Sequence, residues 1–336
     1  MLEYEIFAKI LHIPKLPSYL DRVEKHIREL VSNANPNIKT PIDRLLSGLQ
    51  KPKRAFLVIA SALCQDGHVD DRVIAGASAI ELANIGVSVH DDIMDNAETR
   101  WGVTSVNAKE GQGQALLVGD YLLALAIDQG RLADGRAAKL MADSITTMVN
   151  GQSQETADRF NLDRSFESYL KSIRMKSASL TASACEIGGI CAGLSEKKLK
   201  SLYTYGEAVG MTMQMLDDLL DLLSTDEIMG KPVDRDVREG IYTMPVIFGL
   251  NSPVKLRIKT LLKDLPKNED AQPELLKLLI SSGAIDKSFQ KVSEINKSVA
   301  SIFDQFDNNR LVDGLMRLPA DFVELILDHH VVRLHA

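Results

Sequence analysis

Apolar residues recur at three- and four-residue intervals along almost the whole chain, the spacing that lines one face of an α-helix. Helices are predicted over 17–31, 41–64, 71–96, 112–130, 134–152, 164–192, 196–223, 241–249, 254–263, 271–281 and 285–305, with one or two more after 306. The breaks between them carry helix punctuation: "NANPN" at 33–37, "CQDGHVDD" at 64–71, "MGKPVDRDVREG" at 229–240, "NSPVK" at 251–255 and "KNEDAQP" at 267–273. No segment alternates with period two for long enough to predict a strand, and no glycine-rich strand–turn–helix suggests a nucleotide loop. An all-α fold is expected. The region after about residue 254 holds amphipathic patterns such as "KSFQKVSEINKSVASIF" without recognisable chemistry, and is read as packing helices.

Composition sharpens this in a few places. With 336 residues, 45% of them hydrophobic and 25% charged, the chain can bury a sizeable core. One large helical domain over 1–336 is expected, with N-terminal helices in 1–40. The net charge of −7 argues against nucleic acid as a partner, and an anionic ligand would need something positive to mediate. Three cysteines, Cys64, Cys185 and Cys191, form no C-x-x-C pair and suit buried reduced thiols. The acidic start "MLEYEIFAKI" lacks the basic region of a secretory signal, and no uncharged run reaches the ~18 residues of a bilayer span. A soluble cytoplasmic protein without a transmembrane segment is expected.

Two short stretches break the apolar pattern. "VHDDIMDNAETRWG" (89–102) carries Asp91, Asp92 and Asp95, and "QMLDDLLDLL" (214–223) carries Asp217, Asp218 and Asp221. In Asp-Asp-x-x-Asp on a helix the first and last carboxylates share a face one turn apart, where like charges repel. Both clusters also lie near predicted helix C-termini, where the macrodipole disfavours negative charge by roughly 0.3–1 kcal/mol per group. Hard divalent cations reverse that cost: Mg²⁺ takes oxygen ligands and typically bridges one or two carboxylates to substrate phosphates. Two solvated acidic turns are the bland alternative, and matching spacing in both copies argues against it. His90 beside Asp91 evokes metal phosphohydrolases, but the other histidines are scattered and supply no further ligands.

These residues resemble the trans-type polyprenyl diphosphate synthase family over about residues 40–250. The first acidic motif looks like "HDDIMDNAETRWG" and the second like "QMLDDLLDLLSTDEIMGKPVDRDVREGIYTMP". Between them "LLVGDYLLALA" (116–126), "NGQSQE" (150–155) and "KSASLTASACEIGGICAG" (176–193) fall where family patterns do, and "QKPKRAFLVIASAL" looks like the family's basic segment. The resemblance implies a bundle of antiparallel helices around a central cavity, usually a homodimer. It implies that Asp91, Asp92, Asp95, Asp217 and Asp221 bind about three Mg²⁺ ions that hold an allylic isoprenyl diphosphate. Arg100, Lys176 and Lys231 would complete the cage, with Gln214 and Asp218 nearby. Clustered cations would stabilise charge growing on the departing diphosphate.

The chain departs from the family at the second substrate, isopentenyl diphosphate. Lys51 and Arg54 match a Lys–Arg pair, but the usual His is Asn84 and the second of two adjacent arginines is Trp101, the only tryptophan. A lysine common after "REG" is Ile241. Phosphate contacts of this kind are worth roughly 1.5–3 kcal/mol each, so losing two would weaken that site by orders of magnitude unless Asn84 compensates. Two reaction classes follow: elongation with an altered second site, or a terpene-cyclase-like lyase acting on one allylic diphosphate, in which the Trp101 indole stabilises a cation. Elongation stays ahead because Lys51 and Arg54 are retained. A non-catalytic partner subunit fits less well, having no use for intact acidic motifs. Gly86 and Val87 occupy positions that gate cavity depth in the family, and their small size suggests a product of C20 or longer.

Overall fold

A computed structural model of the chain describes residues 4–49, 54–65, 67–225, 233–265, 268 and 271–330. In chain order the helices are α1 (Tyr4–Ile10), α2 (Leu16–Val31), α3 (Pro36–Gly48), α4 (Ala55–Leu63) and α5 (Asp71–Met94). A hairpin of β1 (Thr99–Arg100) and β2 (Val103–Thr104) follows, then α6 (Val106–Glu110), α7 (Gln112–Ala133), α8 (Gly135–Ala157) and α9 (Phe166–Ile173). A π-helical turn over Arg174–Ala178 joins α9 to α10 (Ser179–Cys191), which precedes α11 (Glu196–Leu223). The remainder is α12 (Arg235–Arg238), α13 (Met244–Leu250), α14 (Lys255–Asp264), α15 (Ala271–Ser281), α16 (Ala284–Ser298), a 3₁₀ turn over Ala300–Phe303 and α17 (Arg310–His330).

The all-α expectation holds, and most predicted helices match to within a few residues. The predicted helix 41–64 is instead two, α3 and α4. The first of these ends at Gly48, where Leu49 leaves helical geometry with φ of −77° and ψ of 85°. The hairpin was not predicted, because two-residue strands are too short to show alternation. The predicted helix 164–192 is α9, the π turn and α10 in succession, with Ser179 N–H reaching back to Arg174 O in the turn.

The chain divides into two compact units. The first holds Met1–Thr146, Leu180–Gly206 and Ile302–Leu318; the second holds Thr147–Ser179, Glu207–Ser301 and Pro319–Ala336. In the first unit α5 is the core helix. By length and composition it could cross a bilayer, yet 83% of its most apolar window is buried inside the protein, as expected of a helix that is hydrophobic all round. Asp70 starts it by accepting Val73 N–H at 3.0 Å. It packs against α7 through small residues: a Cβ on Gly86 would lie 3.2 Å from Gly119 O and from Leu122 Cβ. The thiols of Cys64 and Cys185 are buried and pushed up to about 12 by burial, which keeps them unreactive.

In the second unit a buried Arg164 ties the α8–α9 connection to the segment after α12 by donating to Tyr242 O at 3.0 Å. Phe160 N–H bonds Gly240 O at 2.8 Å, and the Phe160 ring covers Gly240, whose φ of +76° favours glycine and whose Cβ would lie 2.5 Å from the ring. Phe166 and Phe248 join α9 to α13, ring centroids 5.0 Å apart.

Candidate active site

The first acidic cluster belongs to the first unit and the second to the second unit. Lys51 and Lys231 lie outside the described residues.

Asp91 and Asp95 are half-buried, one turn apart at the end of α5, with Asp95 N–H bonded to Asp91 O at 2.9 Å. Asp92 points the other way and is fully buried. The chain then doubles back, so that Arg100 on β1 returns to the helix end. Its Nε donates to Asp92 Oδ1 at 2.8 Å and its Nη2 donates to the same oxygen. An expected metal ligand and an expected phosphate ligand are therefore each other's partners, a charge-assisted pair on a buried carboxylate.

Trp101 and Gly102 form the hairpin tip with φ of +52° and +79°, the two positive values a tight type I′ turn requires. Tryptophan in that region costs about 1–2 kcal/mol. The turn rests on α3: a Cβ on Gly48 would lie 2.6 Å from Trp101 O. The residue that replaces an arginine is thus a turn former, half-buried beside Arg100 in sequence.

Residues near the start of α4 assemble a second group. Arg54 Nη1 donates to Asn84 Oδ1, while Arg54 N–H and Ala55 N–H both donate to Glu81 Oε1, the latter at 2.8 Å. Glu81 is completely buried and caps α4, placing negative charge where the helix dipole favours it. Asn84, only 8% exposed, spends its carbonyl on Arg54. Its Nδ2 is a buried donor with no acceptor among the described residues. Gly86 faces α7, where a Cβ would lie 3.2 Å from Gly119 O, and Val87 is half-buried. His90 lies over Gly119, its Nε2 3.6 Å from Asp120 Oδ1.

In the second cluster Asp217 is exposed, whereas Asp218 and Asp221 are buried. Asp221 Oδ2 accepts Asp236 N–H at 3.3 Å, and its carbonyl accepts Asp234 N–H at 2.8 Å. Asp218 takes Tyr169 Oη–H on Oδ2 at 2.6 Å and Gln214 Nε2 on Oδ1 at 2.8 Å. Burial pushes the Asp218 carboxyl up to about 7, against the lowering effect of those donors, with Glu155 and Asp217 adding like charge. Gln214 Oε1 accepts Ser177 Oγ–H at 2.6 Å. Lys176, in the π turn, pairs with Glu155 on α8. A Cβ on Gly151 would lie 2.5 Å from Lys176 N, so α8 and the turn touch backbone to backbone there.

Glu81, Glu155, Tyr169 and Ser177 were not anticipated as site residues. "NGQSQE" contained Glu155 and the helical spacing placed Gly151 one turn before it, but nothing in the pattern paired it with Lys176.

All of these acidic groups offer hard oxygen donors, the chemistry Mg²⁺ takes. Among the described residues no three His, Cys, Asp or Glu side chains are gathered tightly enough to hold an ion by themselves.

Comparison with known proteins places these features in a family. The polyprenyl synthetase model matches residues 35–279. Heptaprenyl diphosphate synthase component 2 of Bacillus subtilis is 30% identical over 292 residues, 84% of each chain. Nonaprenyl diphosphate synthase of Mycobacterium tuberculosis is 34% identical over 239 residues, covering 70% of this chain and 71% of that one. The crystal structure of heptaprenyl diphosphate synthase from Staphylococcus aureus superposes with a TM-score of 0.85 at 25% identity, covering 92% of this chain and 98% of that one. The chain belongs to the polyprenyl synthetase family and has its all-α fold. It is a prenyltransferase, and the lyase alternative prompted by Asn84 and Trp101 is not favoured.

Proposed function

We propose that the chain ionises an allylic isoprenyl diphosphate with Mg²⁺ and condenses it with isopentenyl diphosphate to a trans-polyprenyl diphosphate of C20 or longer. The observation that carries this is the pair of Asp-Asp-x-x-Asp motifs in a polyprenyl synthetase chain, each keeping an outer carboxylate accessible: Asp91 and Asp95 in one, Asp217 in the other. Asp91, Asp92, Asp95, Asp217 and Asp221 hold about three Mg²⁺ ions together with the diphosphate. Bound Mg²⁺ neutralises charge on the leaving diphosphate. Arg100, Lys176 and Lys231 would serve as cationic ligands of that diphosphate.

Isopentenyl diphosphate binds at Lys51, Arg54 and Asn84. The buried Asn84 Nδ2 supports this assignment, since a phosphate oxygen would satisfy a donor that otherwise carries a desolvation penalty of about 1–3 kcal/mol. The protein works in the cytoplasm as a homodimer; exposed Leu116, Leu117 and Ile127 on α7 support a protein-covered face. Light scattering of the purified chain tests the dimer, and a monomer would refute it.

Turnover is tested by incubating the chain with Mg²⁺ and geranylgeranyl diphosphate, with and without isopentenyl diphosphate. Longer diphosphates formed only with the second substrate are expected, and none in excess chelator. Hydrocarbon or alcohol formed from the allylic diphosphate alone would overturn the assignment. Replacing Asn84 with His together with Trp101 with Arg is expected to lower the KM for isopentenyl diphosphate; an unchanged KM would mean that substrate binds elsewhere.

A further inference from the structure

We infer that Tyr169 is a positioning residue for prenyl transfer, holding the second acidic motif and the Lys176 turn in register through a buried hydrogen-bond relay. The relay runs from α9 to α11 and on to the π turn. Tyr169 donates to Asp218 at 2.6 Å, Gln214 donates to Asp218 at 2.8 Å, and Ser177 donates to Gln214 at 2.6 Å. Each donor has one acceptor and each acceptor its donor, so the direction of the chain is set at every link.

Three features make this a positioning device rather than ordinary core filling. First, both oxygens of Asp218 are occupied by protein donors, so this aspartate anchors its helix. Second, Ser177 follows Lys176 directly in the π turn, a local widening of the helix. The Ser177–Gln214 bond fastens that turn to the helix bearing the acidic motif. Third, the Tyr169 ring is itself fixed. It is fully buried, Phe166 stacks at 6.0 Å, and the Arg164 guanidinium lies 5.7 Å from its centroid. A buried phenol held by these neighbours keeps its hydroxyl on Asp218. The consequence is that Lys176, paired with Glu155 on its other side, sits at a height on the helix that the relay dictates.

This inference rests on the assignment of Asp217, Asp221 and Lys176 to the allylic diphosphate. The test is Tyr169→Phe, which keeps the ring and removes only the hydroxyl. Steady-state kinetics with Mg²⁺, geranylgeranyl diphosphate and isopentenyl diphosphate should show the allylic KM and the half-saturating Mg²⁺ concentration each rising about tenfold. The KM for isopentenyl diphosphate should stay within about twofold, since its ligands belong to another group of residues. A merely structural tyrosine would lower the amount of active enzyme and leave all three constants where they were; that result overturns the inference. Should Tyr169→Phe fail to fold, Ser177→Ala at the other, half-buried end of the relay should move the same two constants by about threefold. An unmoved pair of constants in that variant also overturns it. Failure of the wild-type chain to elongate would instead refute the assignment on which the inference stands, so the two failures are told apart.

Discussion

The two acidic motifs share a spacing and a division of labour but not a means of support. In each, the middle aspartate is buried and taken by the protein, Asp92 by Arg100 and Asp218 by Tyr169 and Gln214. The first is held by a charge, which comes from a hairpin five residues beyond the helix. The second is held by neutral donors from α9 and from one turn earlier on its own helix. A charge-assisted bond to a buried carboxylate is about twice as strong as a neutral one, and its loss leaves a far larger penalty. The first motif should therefore depend steeply on a single side chain, whereas the second spreads its dependence over several.

The sharpest way to break that contrast is Arg100→Ala. Removing the guanidinium strands a buried carboxylate, which costs about 3–5 kcal/mol. Urea unfolding should show a loss of this size, and Asp92→Asn added to Arg100→Ala should recover most of it. Independent, additive losses would mean the pair is not coupled.

Next in size is Gly48→Ala. The added Cβ would press on the Trp101 carbonyl at 2.6 Å, and backbone cannot give way as a side-chain tip does. Overpacking of this kind costs about 1–3 kcal/mol. It should displace the hairpin and raise the allylic KM through Arg100, with the second motif untouched. An unaltered melting point would show the hairpin to be loosely seated. Tyr169→Phe comes third, a loss of about 1 kcal/mol, because Gln214 still serves the other oxygen of Asp218. A loss as large as that of Arg100→Ala would erase the distinction between charged and neutral support.

Much of this was legible in the sequence. Helical spacing located nearly every long helix, and the repeated Asp-Asp-x-x-Asp pattern pointed to metal and diphosphate chemistry without any coordinates. Two kinds of information were hidden. Tertiary partners such as Tyr169–Asp218 and Arg54–Asn84 join residues 49 and 30 positions apart, and no local pattern encodes them. Irregular backbone was equally silent. The hairpin is too short to alternate, Trp101 is an unusual residue for positive φ, and the π turn disturbs helical periodicity by one residue in a run that still reads as helix.

The smallest stability effect belongs to Asp217→Asn, and it is the most informative about roles. Asp217 is exposed and its neighbour Asp218 already carries the structural bonds, so removing its charge should change the unfolding free energy by no more than ~0.5 kcal/mol. Relief of repulsion with Asp218 and Asp221 would even make the change slightly favourable. Turnover should nevertheless fall by about a hundredfold, as expected when a group that stabilises developing charge is lost. The combination of intact folding and lost activity is the signature of a carboxylate kept for a ligand. Activity retained at the wild-type level would assign Asp217 to the solvent and leave the second motif as a structural knot around Asp218.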